Sequence, residues 1–258
     1  MTLCFNTVSE VEDAVRLAHE INDKRDFEHF IVDLEFPIEE GDVLPDNIET
    51  AKKNNTLKLK ELARKYKSEY VRMKNVGVSQ NWGNFWRYVK GDEGDVIISL
   101  EPDERVDVEC GGWIKALADV IRGDQSYGVT SLLMHEHMAV LNADNTTEHT
   151  VNGVRVWDIK GNLNWAVIGV SGKLIKEIGG VPYLNIMKVY GGLESALVSH
   201  MDALKYKWCK LPDYTVVHTN NVPLLRQWKD DVIFNRDKFK GEQVQFEDWI
   251  KMKKNGSV

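Results

Sequence analysis

Residues Lys74–Trp113 read KNVGVSQNWGNFWRYVKGDEGDVIISLEPDERVDVECGGW. Within them Asp95–Leu100 is short, β-branched and bounded by Gly94 and Pro102, the signature of a buried strand rather than a helix. Glu101 and Asp103 stand at its end. On an extended backbone, side chains at i and i+2 point the same way, so both carboxylates can reach one hard divalent cation whose other ligands are phosphate oxygens. Such a pair means little by itself, since 40 acids in 258 residues give roughly six by chance. Its surroundings carry the weight. The spacing predicts a helix over Ser79–Lys90 before the strand and another over Trp113–Ile121 after it.

Toward the N-terminus the same alternation continues. Thr2–Asn6 is a short apolar strand. Ser9 heads an amphipathic stretch with Val11, Val15, Leu17, Ala18 and Ile21 on one stripe, and Ser9 with Glu12 matches a capping box. His29–Asp33 is strand-like and ends in an acid, Leu57–Tyr66 is helical, and Glu69–Met73 is a strand. Strand and helix in turn predict an α/β fold, a doubly wound and mainly parallel sheet with helices on both faces. Ligands of such sheets lie beyond the carboxyl ends of the strands, where Asn6, Asp33, Asn75 and Asp103 all fall. That coincidence predicts a nucleotide site. No Gly-x-Gly-x-x-Gly or P-loop signature occurs in this half, so neither dinucleotide binding nor ATP hydrolysis is supported.

The whole chain of 258 residues, 43% hydrophobic, suits a single domain. It has no run of eighteen apolar residues and no basic-then-apolar leader, so a soluble, cytoplasmic protein is expected. Cys4, Cys110 and Cys209 fit neither a disulfide framework nor a zinc cluster. The net charge of −7 argues against broad nucleic-acid coating, although Met201–Val258 carries 11 Lys and Arg against 8 Asp and Glu.

The segment resembles the nucleotide-binding core of family 2 glycosyltransferases, whose fold is GT-A and whose pattern runs Asn-x-Gly, helix, strand, DxD, Trp. Here Asn75, Gly77, Asp95, Glu101, Asp103, Glu104 and Trp113 match, with glutamate in place of the first aspartate. The resemblance implies that Asp103 contacts the metal and that Glu101 serves beside it in donor binding. It implies that Asp33 accepts the imide N–H of uracil, a donor cytosine lacks. Asn6, Lys74 and Asn75 would lie beside the base and ribose.

The second half continues the resemblance. Gly179-Gly180 matches the end of a helix, with glycine as its left-handed cap. Gly191, Gly192 and Glu194 match a loop and catalytic base, although the usual acid pair has become Leu193-Glu194. His218, after the strand Thr215–Val217, matches the histidine that completes the metal site, and imidazole suits manganese beside carboxylates. Between these blocks, Asn152-Gly153 is a strong hairpin signal that would shape an acceptor cleft. His135 and His137 lack further ligands at diagnostic spacing, and His149 is isolated.

The implied organisation is one GT-A-like domain: a nucleotide-binding half over 1–105, an acceptor and catalytic half with a smaller β region over 106–218, and a C-terminal helical tail over 219–258. The implied activity is metal-dependent, inverting transfer of a sugar from a UDP-sugar donor to a hydroxyl acceptor, with Mn2+ or Mg2+ as cofactor. The acceptor would be a glycan, a protein or a hydroxymethylated base in viral DNA. Trp113 or Trp165 would line the sugar pocket. A nucleotidyltransferase of related fold is the alternative within the same architecture, but Asn6–Val11 has neither the glycines nor the basic residues of its loop. A non-catalytic nucleotide-sugar-binding module is the alternative from another class. The tail aromatics are expected to dock on the core.

Overall fold

The structure is a computed structural model that describes residues 1–4, 7–38, 43–76, 78–135, 141, 145–160, 166–181, 193–219, 223–234 and 244–257. The first half alternates as expected: β1 (Thr2–Cys4), α1 (Val8–Glu20), β2 (Phe30–Asp33), α2 (Ile48–Tyr66), β3 (Glu69–Arg72), α3 (Val78–Tyr88) and β4 (Val96–Ser99). There follow β5 (Glu104–Val106), α4 (Trp113–Gly123), β6 (Tyr127–Met134), β7 (Thr146–Val151), β8 (Val154–Ile159), β9 (Ile168–Ser171), α5 (Gly172–Glu177), α6 (Leu193–Leu204) and β10 (Lys207–His218). The tail forms α7 (Pro223–Trp228), a π-helical turn over Lys229–Phe234, and α8 (Phe246–Lys254).

β1, β2 and β3 form a parallel sheet in that order, with Cys4 opposite Asp33 and Asp33 opposite Arg72. A parallel bridge between Thr2 and Leu100 joins it to a mixed sheet in the order β4-β9-β6-β10-β8-β7, with β5 paired to β10. Within the mixed sheet β6 and β10 are parallel, while β9 runs antiparallel to both β4 and β6. The smaller β region is the β7–β8 hairpin, turned at Asn152 and Gly153, whose φ angles of 49° and 81° are those of a two-residue primed turn.

Strand side chains alternate between faces, so each buried strand feeds two layers. On one face α1 and α4 cover Leu100, Val106, Leu132, Cys209 and Val216. On the other, Trp82 and Phe85 of α3, Leu174 of α5 and Met201 of α6 cover Val32, Ile97, Val129 and Trp208. The doubly wound α/β arrangement predicted from the alternation is therefore present, and β5 lies across the expected division at 105/106.

Two local expectations are corrected. α1 begins at Val8 with Thr7 as its N-cap, so Ser9 lies inside the first turn and forms no capping box. α2 begins at Ile48 rather than Leu57, because Asn47 accepts the Thr50 N–H and caps it there. Among the described residues, no helix is long and apolar enough to cross a membrane.

Candidate functional site at the carboxyl ends of the strands

After β4 the chain does not stay extended. Pro102 and Asp103 form a turn closed by the Glu104 N–H donating to the Glu101 carbonyl at 3.1 Å. Glu101 and Asp103 therefore do not share one side of a strand, which corrects the basis on which they were paired. The turn reverses the chain into β5, and β5 pairs antiparallel with the end of β10, Glu104 opposite His218. Thr219 then donates both its N–H and its hydroxyl to the Asp103 carbonyl, at 2.7 and 2.8 Å.

The result brings His218 Nε2 to 2.9 Å from Asp103 Oδ2, across 115 residues of sequence. Asp103 is buried, its side chain 6% exposed against 24% for His218. A hard carboxylate oxygen beside an imidazole nitrogen is a donor set suited to Mn2+, and Mg2+ would rely on the oxygen. Among the described residues no group of three or more His, Cys, Asp or Glu side chains is arranged to hold a metal ion. A cation held by this pair would need its remaining ligands from elsewhere.

Glu104 turns inward beneath this pair. Its carboxylate accepts the N–H of Glu101 at 3.2 Å and that of Val167 at 3.1 Å. Burial, then the neighbouring Glu101 and Asp103, push its carboxyl well above the usual range. Val167 has φ 44°, a left-handed backbone that a β-branched residue adopts only under constraint. The constraint is visible: besides the bond to Glu104, the Ala166 N–H donates to Ser131 Oγ at 3.0 Å and the Ala166 carbonyl accepts from the Leu132 N–H at 3.1 Å.

Lys210 of β10 is fully buried, with Nζ 3.5 Å from the Leu132 carbonyl. Burial lowers its ammonium from an ordinary 10.5 to about 8, opposed by the negative charges of Glu194 and Glu104. Glu194 lies in the first turn of α6, so Lys210 links the proposed base electrostatically to the floor under Asp103. Sequence reading passed over Lys210. The available signal was its place in Trp208–Leu211, a strand buried on both faces, where any lysine must be covered.

Asp33 sits at the end of β2, 1% exposed. Its Oδ2 accepts from Thr56 Oγ1 at 2.6 Å and Tyr70 OH at 2.7 Å, and its Oδ1 from the Glu35 N–H at 2.8 Å. A carboxylate has about four acceptor positions, and three of Asp33's are taken by described residues. Lys74 and Asn75 follow β3 and are exposed, and Asn75 Oδ1 accepts from Asn81 Nδ2 at 3.3 Å.

Other expected residues fall elsewhere. Trp113 is 1% exposed, packed in the core at the start of α4 rather than open to a sugar. His149 is held by Tyr127, whose hydroxyl lies 2.8 Å from its Nε2 and donates to Asp158 at 2.6 Å. Asn6, Gly77, His137, Trp165, Gly191 and Gly192 lie outside the described residues.

No family model matches the chain, and no curated protein matches it. Among solved structures it is similar to a crystal structure of GalNAc-T7 with UDP, GalNAc and Mn2+, at 12% identity and a TM-score of 0.49. That match covers 76% of this chain and 39% of the other. A likeness so slight bears neither on this chain's fold nor on its chemistry.

Proposed function

We propose that the chain is a metal-dependent glycosyltransferase of the GT-A type, similar to family 2, which transfers a sugar from a UDP-sugar to a hydroxyl acceptor with inversion at the anomeric carbon. The observation that carries this reading is the meeting of Asp103 and His218 at the carboxyl ends of β4 and β10 and the amino end of β5. The resemblance to family 2 assigns the same two residues to the metal.

In this reading Asp103 and His218 hold Mn2+ or Mg2+, and Glu101 lies beside them toward the donor. A cation so held supplies neutralisation of the charge that develops on the departing diphosphate. Asp33 accepts the imide N–H of the base, and Lys74 and Asn75 lie beside base and ribose with Asn6. Glu194 takes the proton of the acceptor hydroxyl, a role that requires it to be ionised and within hydrogen-bond reach. Glu194 stands in the first turn of α6, within the electrostatic reach of the buried Lys210.

A thermal-shift and calorimetric screen of uridine, guanosine, cytidine and adenosine diphosphates, each with and without Mn2+, tests the donor site. Stabilisation by UDP that requires Mn2+ is the expected result. Binding of UDP without turnover of any UDP-sugar would instead favour a non-catalytic module, and no response to any nucleotide would sink the proposal.

A further inference from the structure

Charge is divided unevenly along the chain. Residues 52–90 hold 11 Lys and Arg against 2 Asp and Glu, whereas the rest of the chain holds 22 against 38. The basic segment folds as most of α2 with β3 and α3, and β3 is the outer strand of the parallel sheet. α2 packs Leu59, Leu62 and Ala63 on one face of that sheet, and α3 packs Trp82 and Phe85 on the other. The cations therefore gather along one edge of a molecule that is acidic elsewhere.

Lys53, Leu57, Lys60 and Arg64 recur along α2 at alternating steps of four and three, and Lys67 at its C-cap continues the series. Helical spacing sets them in one row about 20 Å long. Leu57 stands in that row 51% exposed. The row meets β3 where Lys60 Nζ lies 5.2 Å from the centre of the Tyr70 ring, and α3 meets β3 where the Tyr88 hydroxyl donates to Glu69. One face thus runs from α2 across the sheet edge to Tyr88, which is 48% exposed. Lys52 and Lys65 are held by Glu247 and Glu12, but Lys53, Arg64 and Lys67 are exposed and form no ion pair among the described residues. Glu61 and Glu69 are the acids of the segment, and Glu69 is engaged by Tyr88.

We propose that this face docks on the surface of an anionic lipid bilayer, with α2 lying in the plane of the headgroups. Three observations favour a bilayer over a nucleic acid. Lysine, a compact point charge, supplies 8 of the 11 cations and suits a diffuse anionic surface, while Arg72 and Arg87, whose planar forks match single phosphates, are bonded to Glu35 and Asn84. Leu57 stands exposed inside the cationic row, where an acyl boundary gives it a partner and a sugar-phosphate backbone does not. The Tyr88 ring, apolar with a polar tip, suits the headgroup level. Helices held at such surfaces combine burial of apolar side chains with attraction of Lys and Arg to anionic lipid.

The test sediments the full chain with vesicles of phosphatidylcholine alone and with phosphatidylserine added, and titrates it with single-stranded and duplex oligonucleotides by fluorescence anisotropy. Binding is expected to the phosphatidylserine vesicles alone, and it should weaken as sodium chloride is raised, because exposed charges are screened. The triple variant Lys53→Gln, Arg64→Gln, Lys67→Gln should lose about a hundredfold in affinity, at about fivefold per cation. Lys115→Gln, Lys176→Gln, Lys205→Gln, which removes the same charge from exposed positions on other elements, should bind as wild type. Leu57→Ser should weaken vesicle binding about fivefold through lost apolar burial. Circular dichroism checks that each variant is folded, and Leu57→Ser is a separate arm if a triple variant is not. The proposal is overturned by no sedimentation with phosphatidylserine vesicles, by equal binding to phosphatidylcholine, by equal losses in the two triple variants or by unchanged binding in Leu57→Ser. Tighter binding to an oligonucleotide than to vesicles at the same salt also overturns it and assigns the face to nucleic acid.

Discussion

Asp103 and Lys210 show how burial changes what a charged side chain does. Asp103 is held by its backbone, through Thr219, as firmly as by its side chain, through His218. Asp103→Asn should therefore keep the circular dichroism spectrum of the wild type while losing Mn2+-dependent stabilisation by UDP; retention of that stabilisation would remove Asp103 from the metal site. Lys210 makes a prediction about pH. Its folded-state value, lowered from 10.5 to about 8, means that the unfolded chain binds the proton more readily between those values. The cost of holding the ammonium in the core is fully present below pH 8, fades as pH rises and is gone above 10.5. It amounts to about 3 kcal/mol at neutral pH. Urea unfolding of wild type should thus gain stability from pH 8 to 10.5 relative to Lys210→Met, in which that component is absent; parallel curves would show that Lys210 is not desolvated. Neither residue's situation was readable from its neighbours. Asp103 was legible as an acid after a strand, but its turn and its contact with His218 depend on β5 pairing with β10, and Lys210 reads as any surface lysine until β10 is placed in the middle of a sheet.

Helices and strands were far more legible, because their signals are local. The β-branched run before Pro102 became β4, the spacing after Gly112 became α4, and Asn152-Gly153 became the hairpin turn. Gly179-Gly180 is a Schellman cap: Gly180 N–H donates to the Ile175 carbonyl at 2.8 Å and Gly179 N–H to that of Lys176 at 3.1 Å. Local signals fail where two compete. Ser9 offered a capping box, but Thr7 took the cap two residues earlier because Val8 and Val11 are both drawn into the core against α2. The end of α2 carries a further prediction. Lys67 closes that helix with φ 55°, in the left-handed region where a Cβ is strained and glycine is not. Its side chain is exposed, so Lys67→Gly should raise stability by about 0.5–1 kcal/mol in chemical denaturation, the relief of strain exceeding the entropy that glycine adds to the unfolded chain. A loss would show that Lys67 contributes contacts that offset its backbone.

The molecule as a whole is tied together by pairings between distant segments. The tail packs Trp228, Val232, Phe246, Trp249 and Ile250 onto Phe36 and Ile38, the residues that follow Asp33. Asn55 fixes the same stretch by donating to the carbonyls of Phe36 and Ile38 at 2.9 and 2.7 Å, and Lys52 reaches Glu247 of α8 at 2.6 Å. The described tail aromatics are thus docked, as the sequence suggested, and they brace the loop behind the proposed base-binding acid. Trp249 is fully buried and donates to Asp231 at 3.1 Å, so Trp249→Ala should cost about 3–5 kcal/mol in urea unfolding. A cost below about 1 kcal/mol would mean that the tail is a loosely held appendage. From the amino acids in order one can read the α/β class, the alternation, and which acids stand at strand ends, since periodicity and turn chemistry act over a few residues. The contact between Asp103 and His218, which family resemblance alone implied, the inward turn of Glu104 and the burial of Lys210 required the folded chain. Each joins segments far apart in sequence, through strand pairing that no local pattern encodes.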